Sequence, residues 1–286
     1  MPQSSPDEGH RSLENEARTR FAKLPPFHPV ALKLLTISTE SESAEADFVA
    51  AFRSDPALAA ELLQVANSFE FGFAARIDSV PHAILALGLE RVRSLAFTLA
   101  MRCYTRNMPR RQALQPVWSH SIATAIVAER LGAFSGAPLA YTAGLIHDVG
   151  RLGLMITHGG YSEFLGRPFH DGDESLSEES RLFGVTHTEA GAALAAEWGF
   201  PTGLCECIRL HHDSLSAGAS ASAVTSLVAL ACRYAAAIGF PETLQEARPS
   251  NDSLAAMLPP HLQERSDLAP ESLSADIRRQ IANVWK

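Results

Sequence analysis

Five histidines and one aspartate stand where they could act together: His120, His147, Asp148, His187, His211 and His212. Each lies on or beside an apolar stripe of helical period, and they come from different predicted helices. A neutral imidazole has one nitrogen that donates and one that accepts, and both need partners once buried. A carboxylate carried into apolar surroundings is costlier still. A single buried histidine is ordinarily a hydrogen-bonded core residue. Five of them with a carboxylate can instead satisfy one another through a shared metal ion. Imidazole plus carboxylate suits Fe, Mn, Ni or Zn, and a bridging carboxylate would hold two ions close together. Spacing alone leaves both readings open, a metal centre or a hydrogen-bonded core.

The elements that must position these residues read as helices throughout. Asp55-Pro56 fits a helix start, with a capping aspartate and proline in the first turn, and Leu58, Leu62, Leu63 and Ala66 follow at helical spacing. "SFEFG" ends that helix at Gly72, Pro81 opens the next, and Val92, Leu95, Ala96 and Leu99 share one side of the segment after Gly88. Pro116 begins a helix with His120, Ala123, Val127 and Leu131 on one stripe. A further helix from about Pro138 is predicted to carry Ala140, Ala143, His147 and Arg151 on one face, with Gly144 admitting a close neighbour. Thr186 and Glu189 fit a capping box that pins His187 in a first helical turn. Gly199 and Pro201 stop that helix and open the next, on which Leu204, Ile208 and His212 align, with His211 above Leu204 and Cys207. Thr225–Ile238 is apolar on nearly every side and reads as a buried helix. No segment has a convincing period of two, so the fold class is all-α.

With 286 residues the chain can bury a sizeable core, and its formal net charge of -8 argues against a general binder of DNA or anionic membranes. No uncharged apolar run approaches the roughly 20 residues of a bilayer span. The polar N-terminus has no apolar region of a secretion signal, and Cys103, Cys205, Cys207 and Cys232 form no disulfide framework, so a cytoplasmic location is expected. Cys205 and Cys207 read as two small apolar side chains of one helix rather than a ligand pair. Arg102, Arg106, Arg110 and Arg111 read as a solvated loop in preference to an anion patch.

The order H, HD, H, HH resembles the HD superfamily of metal-dependent phosphohydrolases. The wider pattern resembles its HD-related output domain (HDOD) branch, found in bacterial signalling proteins. The resemblance rests on "LPPFHPVALKLL", "FRSDPALAAELLQVANSFEFG", "IDSVPHAILALGLERVRSLAF", "WSHSIATA", "AGLIHDVGRLGL", "FGVTHTEAGAALAAEWGFP" and "CIRLHHD". It covers about Phe21 to Asp213 and continues more loosely to about Phe240. It implies an N-terminal helical half over 19–105 and an HD-like core over 106–240, between a flexible tail at 1–18 and a C-terminal extension at 241–286.

The resemblance also implies roles. Asp148 would bridge two ions in a binuclear member. One ion would take His147, His120 and a late aspartate, whose position is held here by Cys232 in "ACR". The other would take His187, His211 and His212, a set that is intact. One ion site is therefore expected rather than two, with Cys232 a protonated core thiol at a degenerate ligand position. The cyclic di-GMP phosphodiesterases of the superfamily carry a Gly-Tyr-Pro signature after the paired histidines, absent from "HHDSLSAGAS", and a lysine where this chain has Arg151, a candidate phosphate contact. The branch is regarded as regulatory. The implied function is a regulatory protein that contacts other signalling proteins without catalysis. The alternatives are a metal-dependent phosphohydrolase on a nucleotide or cyclic nucleotide, and a sensor that binds a nucleotide in the old cleft.

Overall fold

The computed structural model describes residues 26–67, 76–106, 111–133, 137, 139–169, 172–213, 222–243 and 251–284. The expected tail at 1–18, the break at Gly72, Arg110 and most of "HHDSLSAGAS" lie outside them. Every regular element among the described residues is helical, so the fold is all-α. The chain divides into two compact units, residues 26–108 and residues 109–281.

The first unit holds α1 (Pro29–Thr36), α2 (Ala44–Arg53), α3 (Pro56–Ala66), α4 (Val80–Leu87) and α5 (Leu89–Arg106). Asp55 caps α3 as its sequence suggests: Oδ1 accepts the Leu58 N–H at 2.9 Å. Gly88 turns the chain between α4 and α5 at φ +82°, a conformation that side-chain-bearing residues rarely adopt. Leu34, Phe48, Phe52, Leu62, Ile77, Val92 and Leu99 meet in the core. Arg102 pairs with Glu61 at 2.9 Å, an ordinary helix-to-helix ion pair rather than part of an anion patch.

The second unit holds α6 (Gln115–Gly132), α7 (Ala140–Ile146), α8 (Val149–Thr157), α9 (Tyr161–Leu165), α10 (Gly172–Phe183), α11 (His187–Glu197), α12 (Thr202–Leu210), α13 (Ala223–Ala237), α14 (Asn251–Met257) and most of α15 (Pro270–Val284). Two backbone contacts without intervening side chains set its interior. A Cβ on Gly144 of α7 would lie 2.8 Å from the Ala125 Cα of α6. A Cβ on Gly150 of α8 would lie 1.9 Å from the His187 carbonyl oxygen and 2.5 Å from the Gly191 nitrogen of α11. The two glycines flank the His-Asp doublet. They draw it against the helix that carries His120 on one side and the helix that carries His187 on the other.

Two expectations need correction. The sequence reads as one helix from Pro138 through Arg151, but α7 ends at Ile146 and α8 begins at Val149. Successive residues on a helix point about 100° apart, so an unbroken helix could not aim both His147 and Asp148 at one site. The backbone leaves helical geometry at Asp148 (φ -97°, ψ 14°). In the C-terminal extension, the stretch "PSNDSLAAMLPPHLQERSDLAPESLS" suggests loops by its Pro and Ser content, yet it contains α14, and α15 starts at Pro270. Leu273 and Ile277, one turn apart, are both fully buried and account for that early start. Tyr234 of α13 ties this segment down by donating its hydroxyl to the Leu268 carbonyl at 2.7 Å.

Candidate metal centre

Helix caps and close packing deliver the donors. Thr186 and Glu189 form the predicted capping box, which places His187 at the first residue of α11. His211 and His212 follow the last residue of α12, where the chain has just left the helix. His211 is the buried member, in line with Leu204 and Cys207, while His212 is half-buried. His120 comes from the buried face of α6, and Cys232 from α13, whose predicted burial holds for most of its length.

Four of the imidazoles are oriented in the same way. His120 Nδ1 lies 2.7 Å from the Phe240 carbonyl, His147 Nδ1 2.7 Å from the Gly144 carbonyl, and His211 Nδ1 2.8 Å from the Ile208 carbonyl. His187 Nδ1 lies 2.7 Å from Glu179 Oε2, which also accepts the His187 backbone N–H at 2.7 Å. A carbonyl or carboxylate oxygen only accepts, so each Nδ1 carries the proton and each Nε2 presents a lone pair. That tautomer, fixed by a partner behind the ring, is how metal-ligating histidines are held.

The Nε2 lone pairs converge on Asp148. Asp148 Oδ1 lies 3.2 Å from His187 Nε2 and 3.6 Å from His211 Nε2. All three atoms are buried and none has a hydrogen-bond partner. Orphaned polar atoms facing one another inside a protein are costly unless a cation sits among them. His187, His211 and His212 lie close enough to share an ion, and so do His147, Asp148 and His211. On the other side, His120 Nε2 lies 3.2 Å from His147 Nε2 and 3.4 Å from Cys232 Sγ. The side chains therefore form a candidate metal site, and the imidazole and carboxylate donors fit Fe, Mn, Ni or Zn.

Charge supports the same assignment. Arg151 is fully buried among three carboxylates: Asp148 Oδ2 at 3.0 Å from Nε, Glu179 Oε1 at 3.2 Å from Nη1, and Glu242 Oε1 at 3.7 Å from Nη2. One guanidinium against three carboxylates leaves formal negative charge that a divalent ion would offset. Burial opposes ionisation of Asp148, but Arg151 and the neighbouring histidines outweigh it and hold the carboxyl well below its usual range. Burial likewise opposes ionisation of Glu179, and His187 and Arg151 reverse the balance. Burial, first of all, lowers His147, His211 and His212, which keeps them neutral as ligands must be. Burial pushes the Cys232 thiol well above its ordinary value.

Arg151 Nε and Nη1 are committed to Asp148 and Glu179, and Nη2 alone lacks a hydrogen bond. Glu179, Glu242 and Tyr161, whose hydroxyl donates to Glu179 Oε1 at 2.6 Å, belong to the site and escape sequence reasoning. Ser175, Glu179 and Phe183 share one stripe of α10, a faint trace of Glu179's inward position. Cys205 and Cys207 join none of the potential ligand groups among the described residues, and burial raises the Cys207 thiol to about 12.

A family model, described as the HDOD domain, matches residues 24–214. An uncharacterized protein of Treponema pallidum (strain Nichols) is 29% identical over 217 residues, 70% of this chain and 40% of that protein, so the chain spans well under half of that relative. A crystal structure of an HDOD domain protein of unknown function from Geobacter sulfurreducens is 24% identical. It covers 97% of this chain and 96% of its own, with a TM-score of 0.73. A protein provisionally named for signal transduction, from Marinobacter aquaeolei VT8, is 22% identical, covers 98% of this chain and 66% of its own, and has a TM-score of 0.70. At these identities the two structures share the fold.

Proposed function

The chain belongs to the HDOD domain family, and from that premise we propose that it is a regulatory protein acting through contacts with other signalling proteins. It holds a divalent ion at Asp148, His187, His211 and His212 and does not hydrolyse phosphate esters. The observation that carries this reading is the 3.0 Å contact from Arg151 Nε to Asp148 Oδ2. A two-ion hydrolase needs one carboxylate to bridge both ions, with a water activated between them. Arg151 holds one lone pair of Asp148 Oδ2 and leaves Oδ1 as the oxygen without a hydrogen bond, and Cys232 stands where the superfamily pattern has its late aspartate. When bound, an ion at Oδ1 would supply Lewis acidity there. The protein's own groups orient the ligands, Glu179 through His187 and the Ile208 carbonyl through His211.

The signal-transduction name of the Marinobacter protein is in keeping with this role. No helix among the described residues is long and apolar enough to cross a membrane, which fits an assignment to the cytoplasm. The second reading, a phosphohydrolase on a nucleotide or cyclic nucleotide, draws on the same converging Nε2 atoms. The test is turnover of cyclic di-GMP by protein loaded in turn with Mn, Fe, Ni and Zn. No hydrolysis is expected. Robust turnover that disappears in Asp148→Ala overturns the regulatory reading in favour of the hydrolase.

A further inference from the structure

We propose that His120, His147 and Cys232 form a second metal site, of two imidazoles and one thiolate, which selects a thiophilic ion of the zinc class over manganese. It is separate from the ion at Asp148 Oδ1. Its position along the chain was expected to be degenerate because a carboxylate is missing. The geometry shows a donor of different chemistry in its place, not a lost one.

The distances match a shared ion. Zinc binds imidazole nitrogen at about 2.0–2.1 Å and thiolate sulfur at about 2.3 Å, so tetrahedral donors stand about 3.4 Å (N to N) and about 3.6 Å (N to S) apart. His120 Nε2 is 3.2 Å from His147 Nε2 and 3.4 Å from Cys232 Sγ. The three ligand atoms all lie within 4.8 Å of one another. They come from three elements, α6, the end of α7 and α13, so the grouping is not a by-product of one helix surface.

A second observation points to a ligand independently. Both Nδ1 atoms face backbone carbonyls at 2.7 Å, so both Nε2 atoms present lone pairs to each other. Two lone pairs at 3.2 Å repel unless a cation lies between them. The Cys232 thiol can donate one proton to His120 Nε2, which still leaves His147 Nε2 facing a lone pair and, at 3.9 Å, the Asp148 carboxylate. An ion satisfies all three donors, and the thiol proton passes to solvent as the sulfur coordinates. Glu242 Oε2, buried without a hydrogen bond 3.7 Å from His120 Nδ1, adds negative charge behind that ring and strengthens it as a ligand. Thiolate sulfur favours zinc-class ions, whereas manganese prefers oxygen.

The experiment titrates metal-free, full-length protein with Cd or Mn. Two Cd per chain are expected, one of them with a thiolate-to-metal charge-transfer absorption, against one Mn per chain. Cys232→Ser should abolish the absorption and reduce Cd to one per chain. Cys232→Asp should lose the absorption and raise Mn toward two per chain. X-ray absorption at the zinc edge of the unaltered, zinc-loaded chain needs no variant, and should show sulfur at about 2.3 Å. An unaltered chain that takes up two Cd with no charge-transfer band, a band that survives Cys232→Ser, or a zinc edge without a sulfur shell overturns the proposal. The Mn stoichiometry reports the Asp148 ion separately.

Discussion

Glu179 serves three neighbours with its two oxygens. Oε2 accepts from the ring and backbone of His187, and Oε1 accepts from Arg151 and Tyr161. An amide has one accepting oxygen and one donating nitrogen, so Glu179→Gln can accept from one side only and sets a donor against the donors on the other. If it fails His187, the Nε2 lone pair is no longer held toward the ion. Loss of such an orienting partner typically costs 10–100-fold in metal affinity, and a weakening of about that size is expected at the Asp148 ion in a competition titration against a chelator. An unchanged affinity would show that Glu179 only balances Arg151. At this scale the sequence showed the donors and hid the groups behind them. His147 and Asp148 announce themselves because ionisable residues interrupt an apolar run. Glu179 sits in the acidic stretch "GDESLSEES" and looks like surface, and its burial follows only from packing of α10 beside the start of α11.

Helix caps were the most legible features among the elements. Asp55, Thr186 and Glu189 act through residues a few positions away, so local spacing suffices to find them. The break at His147-Asp148 was not legible, since the glycines of "GLIHDVGRL" weaken a helix without marking where it ends. Contacts with α6 and α11 impose it, and Gly144 and Gly150 permit those contacts. Gly150→Ala tests that claim. Its Cβ would meet backbone atoms at 1.9 and 2.5 Å, which cannot swing aside as a side chain would. Overpacking a core typically costs 1–3 kcal/mol and occasionally more; a loss of about 3 kcal/mol or greater is expected here because backbone must move. Gly160→Ala is the control: a Cβ there meets nothing within 4 Å, and a change under about 1 kcal/mol is expected. Denaturant melts of both variants decide the matter, and equal stabilities would mean that α8 and α11 are free to separate.

Across the whole molecule, the convergence of donors from distant helices could be expected from the sequence only through likeness to a family. His120 and Phe240 are 120 residues apart, and no local pattern pairs them. Once paired, the buried imidazoles link global stability to pH. His147, His211 and His212 ordinarily titrate near 6.5, and burial, foremost, holds each lower in the fold, His147 and His212 well lower. Below about 6.5 the unfolded chain therefore takes up protons that the folded chain refuses. Their contribution is complete above that pH and is lost as the pH falls toward the folded values, by up to about 1.4 kcal/mol per pH unit for each imidazole that stays neutral. Asp148 and Glu179 are also depressed, but their ordinary values are 3.8 and 4.5, so their stabilisation is lost only at lower pH. Metal-free protein should accordingly melt at progressively lower temperature as the pH falls from about 6.5 to about 5.5, before Asp148 or Glu179 titrates. Substituting His147 by Gln should flatten that slope. A melting temperature that stays level or rises over this interval would mean that the imidazoles are already charged in the metal-free fold, and that their Nε2 atoms hold protons in place of an ion.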